Sequence, residues 1–206
     1  MLIGENKMLK HLIHLENDPI MATLIEIYGS LKLEKKYNYI GSSYFDDLVT
    51  SIIGQLISMK ATAKIRERVV ALCDNNLSPE KIISLSEDQL RASGLSYNKA
   101  NYLKNLAKAV NDKLICLKTI DNYSNEAIYS LLSKIKGIGN WTIEMFLIFS
   151  LQREDVFSYG DIVLRKSINK LYGDGNNLTK TEIEKIAYNW RPYQSYACLY
   201  LWKSNE

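Results

Sequence analysis

Paired cysteine is missing from this sequence. Cys73, Cys116 and Cys198 stand alone, with no Cys-x-x-Cys pair. That excludes a disulfide framework, a zinc ribbon and an iron–sulfur cluster held by four local cysteines. Proline and glycine are sparse, at 3 and 10 of 206 residues, too few for a collagen-like repeat or a Pro-rich linker. The longest apolar run, Trp141 to Leu151, is interrupted by Glu144 and falls well short of the roughly 20 residues that span a bilayer. The N-terminus has no charged start, apolar middle and small-residue end in the manner of a signal peptide. Free cysteines without an export signal imply a reducing compartment, the cytoplasm or a eukaryotic nucleus, and no membrane partner. A dominant charge is missing too: 26 Lys+Arg against 23 Asp+Glu leave +3, which permits a nucleic-acid partner without demanding one.

What the sequence does have is a helical period from end to end. Apolar residues run from Leu2 to Trp202 and make up 47% of the chain, enough to exclude disorder and to fill the core of one compact unit or two small lobes. Phe45, Leu48, Val49, Ile52, Ile53, Leu56 and Ile57 fall at i, i+3, i+4, i+7, one buried helix stripe. Ile65, Val69, Leu72 and Cys73 define a second helix. Leu103, Leu106, Ala107 and Val110 define another, with Lys99, Lys104 and Lys108 outside, and Ile128, Leu131, Leu132 and Ile135 a fourth. Helix starts are written into Ser78-Pro79-Glu80 and into the capping boxes Ser86-x-x-Gln89 and Thr179-x-x-Glu182, where Leu178 can staple onto Ile183. Gly94 would end the short helix after Ser86, and Pro192 would open a last one from Tyr193 to Trp202. Leu31 to Ile40 is the least patterned region, and the N-terminal helices, from about Met8 to Ile27, could return beside the C-terminal ones. Sustained strand alternation is absent, so the expected class is all-α.

The stretch that carries chemistry is Leu131-Leu-Ser-Lys-Ile-Lys-Gly-Ile-Gly-Asn-Trp-Thr142. A helix ending at Lys136, a tight Gly137-Ile138-Gly139 turn and a helix opening near Asn140 place backbone N–H groups at a helix N-terminus, a concave anion site. A phosphodiester fits it without base contacts, and Lys134 and Lys136 add positive charge. The same residues also suit a plain helix–turn–helix connection with glycine at the C-cap.

Beyond the turn come the helix Trp141 to Leu151 and the loop Asp155-Val-Phe-Ser-Tyr-Gly-Asp161, with Asp161 lying 22 positions after Gly139. This order of Gly-hydrophobic-Gly hairpin, helix and acidic loop resembles the helix–hairpin–helix DNA glycosylases, most of all the DNA-3-methyladenine glycosylase II (alkylation repair) branch. Ser51-Ile-Ile-Gly-Gln-Leu-Ile-Ser58 and Trp190-Arg-Pro-Tyr-Gln-Ser-Tyr-Ala-Cys-Leu-Tyr-Leu-Trp202 resemble two further blocks of that branch, so the likeness runs from about Tyr44 to Trp202. The chain is too short for the extra β-rich domain of the larger bacterial members.

The resemblance implies a single unit over 1–206, a two-lobed helical bundle with the DNA cleft between the lobes. About 40–113 would form the central lobe, and about 1–39 with 114–206 the lobe carrying hairpin and catalytic acid. Asp161 would be catalytic, its carboxylate stabilising the oxocarbenium-like sugar and orienting water; alternatively it caps the helix from Ile162, and both jobs are compatible. Asp155 is the local rival. The acid that some relatives carry just before the catalytic one is replaced here by Gly160. Lyase members carry a Schiff-base lysine just after the hairpin; here Trp141 stands in its place, implying hydrolysis without strand cleavage. Trp141, Trp202, Tyr159 and Met145 would line the base pocket, where a cationic purine stacks favourably on aromatic rings; the helical spacing of Trp141 and Met145 equally suits core. Gln55 and Leu56 fall where the branch inserts a wedge into the base stack, although Leu56 also lies on the buried stripe. Gly137, Ile138, Gly139, Lys136 and Thr142 would contact the DNA backbone, while Lys60, Lys64, Lys99, Arg165 and Lys166 suit phosphates or solvated helix faces. Backbone carbonyls of Ser133, Ile135 and Ile138 would hold a Na⁺ or K⁺ ion. No organic cofactor is implied. His11 and His14 make a poor metal site and receive no role.

The expected activity is removal of alkylated purines of the 3-methyladenine and 7-methylguanine type from duplex DNA, the first step of base excision repair, by a monomer. The location would be nucleoid-associated in a bacterial cytoplasm, or nuclear in a eukaryote. A glycosylase for deaminated or oxidised bases and a non-catalytic damaged-DNA-binding protein are the alternatives.

Overall fold

The computed structural model describes residues 10–35 and 43–206. The expected first helix start near Met8 and the latter half of Leu31 to Ile40 lie outside them. After a helical segment at 10–15 come α1 (Pro19–Tyr28), α2 (Tyr44–Gly54), α3 (Met59–Leu72), α4 (Pro79–Ser84), α5 (Glu87–Ala92) and α6 (Tyr97–Asn111). A 3-10 helix (Leu117–Asn122) leads to α7 (Asn125–Leu132), α8 (Asn140–Phe149), α9 (Ile162–Tyr172), α10 (Lys180–Tyr188) and α11 (Gln194–Lys203). The described residues contain no strand, as the periodicity requires. None of their helices is long and apolar enough to cross a membrane.

The chain divides into two compact units, Lys36–Phe146 and Met1–Lys35 with Leu147–Glu206. This differs from the expected division, because the hairpin belongs with α2 to α6. The reason is tertiary: the hairpin is bonded to α2 and α6 by side chains far away in sequence, described below.

In the unit Lys36–Phe146, α6 packs against α2, α4 and α5. The expected stripe of α2 is buried from Phe45 to Ile53. Ser78 caps α4 and Ser86 closes its capping box on α5, as read from sequence. Two of the three lysines expected outside α6 are half-buried. Lys104 Nζ donates to the Leu85 carbonyl at 2.6 Å, at the end of α4. Lys99 Nζ donates to the Ile53 and Gln55 carbonyls at 2.8 and 2.6 Å, at the end of α2. Each satisfies carbonyls that a helix end leaves without partners and opposes the negative pole there. A buried ion pair also escaped the sequence reading: Arg66 of α3 grips Asp46 of α2 through Nη2 at 2.7 and 2.6 Å, with Thr50 accepting from Arg66 Nε at 3.1 Å.

In the other unit the N-terminal helices do pack beside the C-terminal ones. Leu15, Met21 and Leu24 share one core with Leu164, Ile168, Ile183, Trp190 and Leu201. Asp18 ties the ends of the chain together. Its Oδ1 caps α1 through the Ile20 and Met21 amides, while Oδ2 accepts from Tyr172 Oη at 2.9 Å and Trp190 Nε1 at 3.0 Å. Burial, with the Asp18 charge beside it, pushes the Tyr172 phenol well above its ordinary pKa.

Candidate active site

Asp161 does cap α9. Its Oδ1 accepts from the Val163 and Leu164 amides, both at 2.9 Å, and Trp202 Nε1 approaches the same oxygen at 3.3 Å. The residue is 8% exposed. The carboxyl group is therefore fixed at the positive pole of an 11-residue helix, oriented by backbone and ring together. Trp202, half-buried, lies against Phe149 with ring centroids 5.3 Å apart and an interplanar angle of 33°.

The loop before Asp161 is held by the C-terminal sequence block. Ser195 Oγ donates to the Arg153 carbonyl at 2.6 Å and accepts from the Val156 amide at 3.0 Å. The Ser195 amide donates to the Glu154 carbonyl at 3.0 Å, and Tyr196 Oη reaches Glu154 Oε1 at 3.3 Å. Asp155, the local rival, pairs with Arg191 Nε at 2.9 Å. That makes it a fastener of the loop onto the residues before α11. Tyr159 was expected among the pocket aromatics; the Arg165 guanidinium and the Lys180 ammonium lie 5.5 and 5.2 Å from its ring centre. Its π-system is engaged by cations already, a poor setting for a cationic purine.

The hairpin, in the unit Lys36–Phe146, differs in detail from the expected one. Helix α7 ends at Leu132, four residues before Lys136, and a run of turns leads to α8. Gly137 has φ +107 and a Cβ there would come within 2.1 Å of Tyr102 Cγ, so the left-handed backbone and the close approach both demand glycine. Nothing lies within 4 Å of a Cβ built on Gly139: the fold does not require this glycine, which leaves bare backbone open to the outside. Ile138 turns its buried side chain into the unit, and its amide donates to the Ile135 carbonyl at 3.0 Å. Thr142 is 1% exposed, its hydroxyl accepting from Gln55 Nε2 at 3.0 Å. Lys136 is exposed, and its carbonyl accepts from Asn105 Nδ2 at 3.0 Å. Met145 is buried and Trp141 half-buried on α8.

Gln55 and Leu56 part company. Gln55 turns inward, donating to the Gly137 carbonyl and to Thr142, both at 3.0 Å, so it stitches the end of α2 to the hairpin. Leu56 leaves the buried stripe altogether, 93% exposed with φ +58. For leucine that left-handed conformation costs about 1–2 kcal/mol, and it aims a large apolar side chain at solvent. Ile57 and Met59 beside it are exposed as well. Sequence reasoning missed the buttress beneath this surface, Lys99, Tyr102 and Asn105 of α6. A lysine, a tyrosine and an asparagine on a helix carry no local signal of such work. Ser195 lay within a recognised block, but its bonds to residues 153–156 could not be read from it.

The family model for base excision DNA repair proteins of the HhH-GPD superfamily matches residues 49–192. The chain belongs to this superfamily. Among HhH-GPD relatives, it is 32% identical to DNA-3-methyladenine glycosylase 1 of Schizosaccharomyces pombe, over 94% of this chain and 86% of that protein. The S. pombe 3-methyladenine DNA glycosylase solved in complex with abasic DNA superposes with a TM-score of 0.87 at 30% identity, over 95% of this chain and 96% of that one. The crystal structure of a DNA-3-methyladenine glycosidase from Bacillus halodurans gives 0.79 at 35% identity, over 93% and 86% of the two chains.

Proposed function

We propose that this HhH-GPD protein is a monofunctional DNA glycosylase that hydrolyses the N-glycosidic bond of alkylated purines, of the 3-methyladenine and 7-methylguanine type, in duplex DNA. The observation that carries the reading is the buried Asp161 carboxyl group, fixed by the α9 amides and Trp202. As the bond from C1′ to the purine nitrogen breaks, its electron pair leaves with the base and positive charge grows on the deoxyribose. A preorganised carboxylate opposes that charge without reorganising. Water then adds at C1′ and loses a proton, leaving the free base and an abasic site. An alkylated purine is already cationic and departs neutral, so no strong general acid is needed. The wedge role falls to Leu56, whose exposed side chain suits a gap in the base stack, and Gln55 holds the hairpin beside it. Trp202, whose Nε1 reaches the Asp161 carboxyl group, is the aromatic assigned to the extruded base. The bare backbone at Gly139, at the start of α8, is assigned to a phosphate.

A Na⁺ or K⁺ ion would sit on the carbonyls of Ser133, Ile135 and Ile138. Peptide oxygens suit such hard cations. The Ile135 carbonyl accepts one bond from the Ile138 amide and, with two lone pairs, keeps capacity for an ion. Such an ion would supply positive charge at the hairpin.

The test is incubation with duplexes carrying 3-methyladenine, 7-methylguanine, hypoxanthine or uracil, following released base and strand breakage separately. Methylated purines are released, and strands stay intact until alkali is added. Borohydride trapping of an enzyme–DNA adduct would contradict the monofunctional assignment. DNA binding without release of any base would leave only a damage-recognition protein.

A further inference from the structure

Leu56 holds an unfavourable backbone conformation with its side chain in solvent, so neighbouring atoms must over-determine it. Two carbonyls just before it lie at the C-terminal end of α2 and on its cap residue. Those of Ile53 and Gln55 both accept from one ammonium, Lys99 Nζ, at 2.8 and 2.6 Å. Lys99 is half-buried, and removal from water lowers its pKa, so this charge was not placed there by solvation. On the same helix Tyr102 packs beneath Gly137 and Asn105 donates to the Lys136 carbonyl. Lys99, Tyr102 and Asn105 are spaced i, i+3, i+6, so that one face of α6 supports the Leu56 loop and the hairpin at once. Gln55 closes the triangle by bonding loop to hairpin.

We infer that Lys99 is a positioning residue for base extrusion: its ammonium clamps the Ile53 and Gln55 carbonyls and so holds Leu56 in the conformation that enters the duplex. This rests on the wedge reading of Leu56. Lys99 then contacts neither the damaged base nor the sugar. Removing its charge penalises extrusion from a stacked duplex and spares the glycosidic step once a base is already unstacked.

Single-turnover release of 7-methylguanine from a paired site is compared with release from an unpaired bulge, for the wild type, Leu56→Ala, Lys99→Met, Lys99→Gln and Lys99→Arg. Circular dichroism selects the variants that are folded at the assay temperature. Lys99→Gln keeps a neutral donor near the carbonyls should Lys99→Met not fold. Lys99→Met or Lys99→Gln lowers the paired-site rate about tenfold, the scale of one lost charge-assisted hydrogen bond, with the bulge rate changed less than about twofold. Lys99→Arg restores much of the paired-site rate. Equal losses on both substrates, or no loss on either, would overturn the inference. Leu56→Ala separates the two readings. If it shows the selective paired-site loss and the Lys99 variants do not, the wedge stands and the clamp falls. If Leu56→Ala releases base normally from both substrates, the wedge itself is gone and the clamp with it.

Discussion

Asp161 caps α9 and is the carboxylate proposed to face the sugar, and substitution can separate the two jobs. Asparagine is as good an N-cap as aspartate, whereas alanine is not. For Asp161→Asn we expect folding stability within about 0.5 kcal/mol of wild type, because the α9 amides keep an acceptor. Base release should fall by roughly 100-fold or more, because the charge facing the sugar is lost. Asp161→Ala should lose release equally and about 1 kcal/mol of stability besides. Urea unfolding and single-turnover release measure the two effects independently. Near-normal release by Asp161→Asn would remove this residue from the mechanism and leave it a cap.

Among the elements, the hairpin holds two glycines with different reasons to exist. Gly137→Ala must adopt φ +107 and drive a methyl group into Tyr102, which should cost about 2 kcal/mol or more and loosen the contact between hairpin and α6. Gly139→Ala meets no atom within 4 Å and should change stability by less than about 1 kcal/mol. If the bare backbone there receives a phosphate, its cost appears in DNA affinity instead. Thermal unfolding together with binding to an abasic-site duplex distinguishes the pair. Unchanged affinity for Gly139→Ala would move the phosphate contact elsewhere. The lysines of α6 belong to the same scale: Lys99 and Lys104 terminate α2 and α4 by satisfying carbonyls, work that short helices cannot do for themselves.

For the whole molecule, a net charge of +3 provides little long-range attraction, so the proposed reading relies on local contacts to phosphates to hold undamaged DNA. Each phosphate neutralised releases counterions. Affinity for undamaged duplex should therefore fall about tenfold for every two phosphates contacted as salt rises from roughly 50 to 200 mM, and fluorescence anisotropy across that range measures the slope. A salt-independent affinity would exclude backbone contacts as the basis of binding.

The helical class, the capping boxes, the glycine turn and the capping capacity of Asp161 were all legible in the sequence, because each depends on residues within one or two turns of each other. The same local reasoning placed Leu56 on a buried stripe, since periodicity has no term for the end of a helix. Whether Leu56 points inward or into water was decided by its left-handed backbone after Gln55, and the Ile53 and Gln55 carbonyls just before it accept from an ammonium 43 residues further along the chain, at Lys99. The fastening of the Asp161 loop by Ser195, the cations over Tyr159, the burial of Thr142 and the attachment of the hairpin to α6 are also long-range. Sequence determined which segments become helices and which residues could do the chemistry. Only tertiary structure decided which polar groups are consumed in holding the fold, because a hydrogen bond between distant residues leaves no period in the chain.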